Sequence, residues 1–341
     1  MNLKNMRRRD FTRFAGGLGA LAIGGRLLPS GALAQGKDTV SIATVSGIYA
    51  QTLTKLMINQ GYLEQFGLEA KYVPVADGSK IIGALLSGEV DVCMGSGFPQ
   101  VLPAIEKGGK LKILATASNA VMSVIYSGNP EIKSIKDLEG RTIGIGSLGA
   151  MVHTYVVAML RKEGIDEKNV KFVNIGGNAD IFRAVSAGIV DAGPGEPQFM
   201  FEQEKYKVHV VAEVYKALPE FIGQASYASG SVVADRRDVL VRTLAAYRRL
   251  YRFVQEGDSQ DAWIKARSEA MGKDQSSEGL NQWNLLRQNK LMPIDLVMPE
   301  ESVRWMQELN ASLGVQQKIV PFDTATDMSL ARDAIALEDK S

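Results

Sequence analysis

Two similar segments lie 100 residues apart in the chain. Ala84-Leu-Leu-Ser-Gly-Glu-Val-Asp91 and Ala184-Val-Ser-Ala-Gly-Ile-Val-Asp191 share an alanine, a glycine, a valine and an aspartate at matching positions. Each segment ends a unit that reads strand, turn, helix, strand, helix, strand, in the same order. Helix–glycine–strand junctions are common, so the shared letters could also arise independently. The matching order of elements favours one α/β unit used twice, which predicts two lobes, each a mixed sheet flanked by helices.

A two-lobed α/β chain predicts where a ligand would bind. In open α/β sheets the binding crevice lies outside the carboxyl ends of the strands. The predicted strand ends select four loops, which are Ser46–Tyr49, Gly95–Pro99, Ser147–Met151 and Gly193–Gln198. We therefore expect a ligand to be clamped between the lobes by these loops.

The third of these loops contains the pattern Gly144-x-Gly146-x-x-Gly149 between a short apolar run and a helical one. The pattern matches the dinucleotide fingerprint, and it equally suits a small anion held by the N-terminus of a helix. A dinucleotide site normally has a carboxylate at the end of the next strand. Here that strand ends in Asn174-Ile-Gly-Gly-Asn178, which favours the solute over NAD. An exported NAD-type oxidoreductase stays open as an alternative.

The first 34 residues have the features of an export signal. Arg8-Arg9-Asp10-Phe11-Thr12-Arg13 resembles the twin-arginine motif, and a mostly apolar run from Gly16 to Leu28 leads to Ala32-Leu-Ala34. This run is shorter than the about 20 residues that span a bilayer. We expect cleavage after Ala34 and a periplasmic location. The remaining chain holds 33 basic and 37 acidic side chains, a net charge of −4, which argues against a nucleic-acid partner.

The residue types that support common catalytic chemistries are scarce. The chain has two histidines, His153 and His209, and one cysteine, Cys93, which lies in an apolar run that predicts core. One thiol excludes an internal disulfide, and no metal-ligand spacing or phosphate-binding loop occurs. We therefore expect no catalytic residue, no metal and no cofactor. Glu196 could act as a general base, but in a binding cleft it would instead contact a ligand or bridge the lobes.

Beyond Asp235 the chain becomes helical. The apolar face of the first helix contains Tyr247 and Tyr251, and its arginines, predicted to form a solvated face, are Arg236, Arg237, Arg242, Arg248 and Arg249. Further helices are predicted at 258–271, 275–290 and 299–313. We expect this helical tail to pack on the first lobe.

Residues 38–235 resemble the periplasmic substrate-binding proteins of ABC importers in the nitrate/sulfonate/taurine class. The resemblance is carried by Gly78-x-x-x-Ile82-x-Ala84-Leu85-x-Ser87-Gly88-x-Val90-Asp91, by Lys112–Thr116, by Ile135–Arg141 leading to Ser147, and by Val190-Asp191-Ala192 leading to Glu196-Pro197. It implies a type II binding fold, two crossings between lobes, capture by lobe closure, and transient delivery to a permease. Lobe 1 would comprise 35–118 and 225–341, and lobe 2 would comprise 119–224. Many members have tryptophan before the Glu-Pro, where this chain has Gly195.

The resemblance and the predicted strand ends together define the candidate ligand-binding residues. They are Ser46, Gly47, Tyr49, Ser96, Gly97, Phe98, Thr116, Ser147, Gly149, Ala150, Met151 and Glu196. Main-chain N–H groups near 147–150 and 96–98 would hold a small polar or anionic head, sulfonate-like or carboxylate-like. We expect a monomer whose partners are a solute and a permease. A small-molecule sensor for a partner protein is a further alternative.

Overall fold

The structure, a computed structural model, describes residues 37–45, 47–75 and 78–341. The predicted signal segment and Ser46 lie outside these ranges. The strands are β1 (Asp38–Val45), β2 (Leu68–Val75), β3 (Val92–Gly97), β4 (Leu111–Ser118), β5 (Val124–Ser127), β6 (Thr142–Ile145), β7 (Lys171–Asn174), β8 (Ala192–Gly195), β9 (His209–Glu213) and β10 (Gln224–Ser229). The helices are α1 (Ile48–Gln60), α2 (Tyr62–Gln65), α3 (Gly78–Ser87), α4 (Val101–Glu106), α5 (Met151–Lys162), α6 (Asn178–Ser186), α7 (Gln203–Tyr206), α8 (Val214–Ala217), α9 (Gly230–Asp235), α10 (Arg237–Glu256), α11 (Gln260–Met271), α12 (Ser276–Gln288), α13 (Glu300–Ser312), α14 (Phe322–Ala325) and α15 (Ser329–Glu338).

The strands form two five-stranded sheets with the same internal order. The first sheet runs β2-β1-β3-β10-β4 and the second runs β7-β6-β8-β5-β9. In each sheet the first three strands are parallel, and the fourth position is filled by an antiparallel strand, β10 or β5. Each of these two strands follows directly on the part of the chain that builds the other sheet. The predicted two-lobed α/β architecture is therefore confirmed, and we call the parts around the first and second sheets the first and second lobes.

The repeated Gly-x-Val-Asp motif performs the same task in both lobes. The carboxylate of Asp91 accepts the N–H of Ser41 in β1 at 2.7 Å, and that of Asp191 accepts the N–H of Thr142 in β6 at 2.8 Å. Each aspartate also donates its own N–H to the carbonyl of the same partner residue. The motif connects the loop before the third strand of a lobe to the first strand of that lobe, which explains why the same letters occur twice.

Helix α6 packs closely on the second sheet because two of the strand residues that face it are glycines. A Cβ atom on Gly193 of β8 would lie 2.6 Å from Ile181 Cγ2 of α6, and one on Gly144 of β6 would lie 3.0 Å from the same atom. Both distances are shorter than ordinary carbon contacts. Ile181 is completely buried, so these glycines allow α6 to approach the sheet closely.

The C-terminal tail differs from its prediction in two respects. The structure adds α15, which packs along α10 and brings Glu338 to Arg248, where both side chains are buried. Arg236 likewise pairs with Asp91 at 2.6 Å. The prediction of a solvated arginine face is wrong, because α15 and the first lobe both supply carboxylates to that face.

The tail packs on the first lobe, as expected, through α11 against α1 and α15 against β4. It also reaches the second lobe, since α13 packs on α5 and α12 packs on the 3-10 turn Pro197–Phe201. No helix in the described part of the chain is long and apolar enough to cross a membrane.

Candidate functional site

Two main-chain N–H groups of the glycine-rich loop in the second lobe already donate hydrogen bonds within the lobe. The N–H of Gly149 donates to Nδ1 of His153 at 3.1 Å, and the N–H of Ala150 donates to the carbonyl of Ser147 at 3.1 Å. Two of the donors expected to hold a ligand are therefore already bonded, because the loop closes on the first turn of α5. The N–H groups of Met151 to His153 begin the helix, and they have no partner within it.

Packing within the protein accounts for the three glycines of this loop. Gly144 faces α6, a Cβ on Gly146 would lie 3.2 Å from the carbonyl oxygen of Gly176, and one on Gly149 would lie 2.7 Å from Val315 Cγ1. Gly149 also has φ +76°, a left-handed conformation that favours glycine. The spacing therefore has a structural cause that needs no dinucleotide.

His153 supports the loop and does not extend toward a ligand. It is buried with its ring edge-on to Phe172, at 4.9 Å between ring centroids. Burial lowers its pKa below the ordinary value of 6.5, although the charge of Glu167 acts in the opposite direction. The neutral ring keeps Nδ1 free to accept from Gly149.

The two lobes meet at the predicted loops. Met151 of the second lobe lies against Gly97 of the first, with its Cβ and Sδ each 3.3 Å from the position of a Cβ on Gly97. The sulfur also approaches Gly223, on the segment that crosses back to the first sheet. A Cβ atom at 97 would be in tight contact with Met151, so the glycine permits this close approach of the lobes.

A small cavity lies at the carboxyl end of the first sheet. Its volume is about 40 Å³, and its wall includes Tyr49, Gly95, Gln224, Tyr247 and Tyr251. A water molecule needs about 10–15 Å³ by the same measure, so the cavity suits a few waters and not an organic solute. All of its lining residues belong to the first lobe and to the tail packed on it.

Only Tyr49 among the cavity residues is a predicted ligand contact. Tyr247 and Tyr251 lie on the apolar face identified in the sequence, but they were not predicted to line the cavity. An apolar helical pattern predicts that residues are buried and does not predict which element or cavity they face. Gly47 precedes α1, and its carbonyl accepts the N–H of Gln51 at 3.0 Å.

Three further predicted residues of the first lobe are buried. Phe98 is completely buried in the core with Ile81 and Val101, so its ring packs inside the first lobe. Ser96 and Thr116 are each 3% exposed, and the hydroxyl of Thr116 has no hydrogen-bond partner among the described residues.

In the second lobe, Ser147 is exposed and the side chain of Leu148 is 71% exposed. Both side chains therefore lie on the solvent side of the loop.

Glu196 occupies a largely desolvated position at the end of β8. Its carboxylate accepts the side-chain amide of Gln198 at 2.7 Å, and its main-chain carbonyl accepts the hydroxyl of Tyr126 at 2.9 Å. In the described ranges, no cationic nitrogen lies within 4.0 Å of the carboxylate. Burial raises the pKa of Glu196, while the bond from Gln198 and the charge of Arg267 act to lower it.

Arg267 is a cation that the sequence did not assign to this region. It belongs to α11, is 2% exposed, and donates from Nη1 to Oε1 of Gln282 at 2.7 Å. Burial lowers its pKa, and the charges of Glu196 and Glu278 oppose that shift. One turn earlier, the ring of Trp263 lies 6.2 Å from that of Tyr49. No local motif marks these residues, because only the packing of the tail brings them here.

The structure leaves no room for a tryptophan at Gly195, the position before Glu196. A Cβ on Gly195 would lie 2.8 Å from Cδ2 of Phe182 and 2.9 Å from Cε2 of Tyr126. Phe182 stacks on Phe199 with ring centroids 3.8 Å apart. Aromatic rings from neighbouring elements therefore fill the space that a larger side chain at 195 would need.

A wider groove of about 470 Å³ lies at the far end of α5, next to Leu218 and Trp305. Its cations are already engaged, since Arg161 pairs with Glu167 and Lys162 donates to the carbonyl of Ala217 at 2.7 Å. About seven to eleven residues of helix, at 1.5 Å per residue, separate it from the loop 147–150. In the part of the chain that the structure covers, no cluster of His, Cys, Asp or Glu could hold a metal ion.

The sheet order and the facing loops define a periplasmic-binding-protein fold. Residues 54–258 match the family described as NMT1/THI5 like, which is more than half of the chain, and the chain therefore belongs to that family.

Known proteins agree with this assignment. A Haemophilus influenzae protein assigned to thiamine biosynthesis is 25% identical over 189 residues, 55% of this chain and 58% of that protein, so the chain spans little over half of this relative. The periplasmic aliphatic sulphonate binding protein SsuA of Escherichia coli superposes with a TM-score of 0.69 and 17% identity, covering 85% of this chain and 92% of that one. The desulfurization enzyme DSZB superposes with a TM-score of 0.62 and 14% identity, over 88% and 99% of the two chains. At these identities the structural likeness concerns the fold.

Proposed function

We propose that the protein is an exported receptor that captures a small polar or anionic organic solute between its lobes and delivers it to the permease of an ABC importer. The contact of Met151 with Gly97 carries the proposal. It joins two strand-end loops from two sheets of the same topology, and Gly95, two residues before Gly97, lines a cavity of the first lobe. The sulphonate-binding name of the Escherichia coli neighbour supports the same class of ligand.

Capture would work as a shift between open and closed populations. A solute that contacts both lobes binds the closed form more tightly than the open one, so it shifts the equilibrium toward closure. The two segments that connect the sheets, 119–123 and 214–223, would act as hinges. The lobe limits, the periplasmic location, cleavage after Ala34, the monomeric state and the permease partner belong to this proposal.

An exported enzyme is the competing function, since DSZB shares the fold. Cys93 argues against a thiol nucleophile in this chain. It is completely buried in β3, and burial raises the pKa of its thiol to about 11. A thiol in that environment is both inaccessible and protonated at neutral pH. The occupied N–H groups of Gly149 and Ala150 argue against a bound dinucleotide.

Thermal-shift screening of the protein purified as exported tests the proposal. The panel contains sulfonates, carboxylates, nitrate, pyrimidines and NAD(H). A solute at about 100 times its Kd stabilises the folded form by about 2.7 kcal/mol, which is easily detected. Stabilisation by one small solute supports the receptor. Stabilisation by NAD(H) alone, with matching absorbance in the purified protein, would reject it.

A pair of variants tests the role of lobe closure. Met151→Lys places a charge against Gly97 and should abolish the stabilisation by the solute. The matched control is Leu148→Lys, three residues away on the same loop, where the side chain is in solvent. The control should bind normally. Equal effects of the two substitutions would show that the Met151 contact is not part of capture.

A further inference from the structure

We infer that residues 305–315 of the tail form a latch, which moves with the first lobe and holds the second lobe closed against it. The latch comprises the C-terminal part of α13 and the turn that follows. The inference rests on the lobe closure of the proposed receptor function. Its residues do not line the first-lobe cavity, and its tests need no solute.

The chain on either side of α13 is bonded to β4, an edge strand of the first sheet. Before α13, the carbonyl of Leu296 accepts the N–H of Thr116 at 2.8 Å. After α13, the N–H of Asp327 donates to the carbonyl of Ile113 at 2.8 Å, and α14 packs on the same strand. The helix is therefore held between two attachments to the first lobe.

A buried network of side-chain amides fixes the end of α13 to the first lobe. Nδ2 of Asn310, which is completely buried, donates to the carbonyl of Pro99 in the loop after β3, at 2.8 Å. Gln316 donates to Gln307 at 2.7 Å, and each of these side chains is 2% exposed. Breaking such bonds would leave desolvated polar groups unpaired. We therefore expect this attachment to persist when the lobes separate.

The latch meets the second lobe at both ends of α5. Val315 packs against the loop before α5, with 2.7 Å between its Cγ1 and the position of a Cβ on Gly149. Near the other end, Nη1 of Arg161 donates to Oγ of Ser312. The helices α13 and α5 also pack on each other. These contacts join a tail that is attached to the first lobe with a helix of the second.

A third contact reaches the segments that connect the two sheets. The ring of Trp305 lies edge-on to that of Phe221, with 5.6 Å between centroids, and Phe221 lies edge-on to Tyr155 of α5, at 6.2 Å. The hydroxyl of Tyr155 is 3.2 Å from that of Ser123 in the other connecting segment. Phe221 and Ser123 are thus attached to the second lobe, and Trp305 meets them from the tail.

Rotation of the lobes is confined to two short stretches. The N–H of Asn119 donates to the carbonyl of Leu291 at 3.1 Å, which attaches Asn119 to the tail, and Gln224 begins β10 of the first sheet. Residues 120–122 and 222–223 lie between these positions and the residues attached to the second lobe. Opening about these stretches would carry Trp305 and Val315 away from the second lobe.

The seam between the latch and the second lobe is incompletely filled. The groove of about 470 Å³ lies along it, with Arg161, Leu218, Trp305 and Ser312 in its wall. Protein interiors contain few voids larger than a water molecule, so a groove of this size marks a contact that can separate. The seam with the first lobe contains the buried amides instead. Opening therefore separates the latch from the second lobe.

The latch acts on affinity without touching the solute. Its contacts with the second lobe raise the closed fraction before any solute binds. The apparent Kd of a solute is inversely proportional to the fraction of protein that is competent to bind it. The latch therefore sets the affinity for every solute by a common factor.

Removal of the latch contacts tests the inference in the ligand-free protein. The latch variant combines Trp305→Ala with Ser312→Ala. A ring pair and a hydrogen bond each change an equilibrium by about 2- to 10-fold, so the ratio of open to closed protein should rise by about 4- to 100-fold. Small-angle scattering should show a larger radius of gyration than that of the wild type. An unchanged radius would overturn the inference.

The matched control is Phe253→Ala. Phe253 is also a half-buried ring of the tail, but it packs edge-on to Tyr62 of the first lobe, at 6.2 Å between centroids. Because this contact does not join the two lobes, its loss should lower Tm and leave the radius unchanged. An equal increase in radius in the control and in the latch variant would show that general loosening of the tail opens the protein, and would reject the latch.

A reversible bridge tests which lobe carries the latch. A Cβ on Gly149 would lie 3.6 Å from Cβ of Val315, within the range of about 3.5–4.5 Å found in disulfides. Gly149→Cys and Val315→Cys are added to the latch variant, in which the native Cys93 is buried. Oxidation should return the radius to the wild-type value, and dithiothreitol should increase it again. Mass spectrometry without reductant checks that the bridge forms.

Two results of the bridge experiment contradict the inference. A bridge that does not form would show that the two positions do not meet in solution. A bridge that forms without decreasing the radius would show that the latch travels with the second lobe. The receptor function is judged separately, since a solute that stabilises the wild type in the thermal-shift panel would support it even if the latch were rejected.

Discussion

Replacement of Gly149 by alanine should weaken solute binding much more than it weakens the fold. Gly149 has φ +76° and lies on the second lobe, while the nearest atom to its missing Cβ is Val315 Cγ1 of the tail, at 2.7 Å. The favourable distance between two carbon atoms is about 3.5–4.0 Å. The loop and the tail would have to separate by about 1 Å to accommodate the new methyl group.

Two costs contribute to this effect, and they act on different equilibria. An alanine in the left-handed conformation costs about 1–2 kcal/mol in every folded state, open or closed. The collision with Val315 resembles overpacking, which costs about 1–3 kcal/mol, and it acts only when the lobes are closed. The second cost alone lowers the affinity for a solute, by about 5- to 150-fold.

Two further variants separate the costs. Gly188 has φ +69° and nothing within 4 Å of its missing Cβ, so Gly188→Ala carries the backbone cost alone. It should lower the midpoint of urea denaturation without changing the Kd. Adding Val315→Ala to Gly149→Ala removes the colliding methyl group and should restore most of the affinity.

Calorimetry with the solute from the screen measures the Kd, and small-angle scattering measures the fraction of closed protein without any ligand. The radius of gyration should increase in Gly149→Ala and not in Gly188→Ala. If the two alanine variants lose equal stability and both keep the wild-type Kd and radius, the loop 147–150 does not meet the tail on closure. The loop 147–150 would then have to be removed from the proposed binding site.

Two other predictions follow from buried charge and buried histidine. Glu338→Gln should lower the free energy of unfolding by about 3 kcal/mol in urea denaturation, because the more exposed Asp339, at 2.6 Å, is then the carboxylate left beside the buried Arg248. Glu256→Gln removes an exposed partner of Arg252 and should change the free energy of unfolding by less than about 1 kcal/mol. Equal losses in the two variants would contradict the role of burial. Because burial lowers the pKa of His153, the unfolded chain binds its proton more readily, so its contribution to stability is complete above about pH 6.5 and is lost as pH falls toward the lower folded pKa. His153→Gln should flatten the dependence of the urea midpoint on pH below 6.5, and an unchanged slope would show that other groups cause it.

The repeat was readable in the sequence because both copies meet the same two requirements. Each copy needs a glycine turn after a helix, which constrains neighbouring residues, and a carboxylate that reaches the backbone of the first strand about 50 residues earlier, as Asp91 does for Ser41 and Asp191 for Thr142. The same letters therefore recur at the same spacing. The stretch from Gln224 to Val233 shows where such patterns fail, because its apolar residues predict one continuous strand. Strand β10 ends at Ser229, whose hydroxyl accepts the N–H of Val232 and starts α9.

The structure brings together some of the predicted site residues and places others in the core of a lobe. The loops around Gly97 and Met151 lie where the two lobes meet, and Tyr49 lines the first-lobe cavity. The ring of Phe98, however, enters the core, because the alternation of a short strand predicts faces without saying which face borders the cleft. The N–H of Gly149 was predicted to be available, and His153 occupies it, because the geometry of the turn decides which acceptor it meets.

The sequence by itself determined the α/β units, their duplication and the loops at the ends of their strands, since hydrophobic periodicity and turn residues act over short separations. Only the tertiary structure decided which residues of the tail pack near those loops. Arg267 and Trp263 reach this region through helices more than 60 residues from Glu196, and Val315 meets Gly149 across more than 160. Contacts at such separations depend on how whole helices pack, and no single motif encodes them.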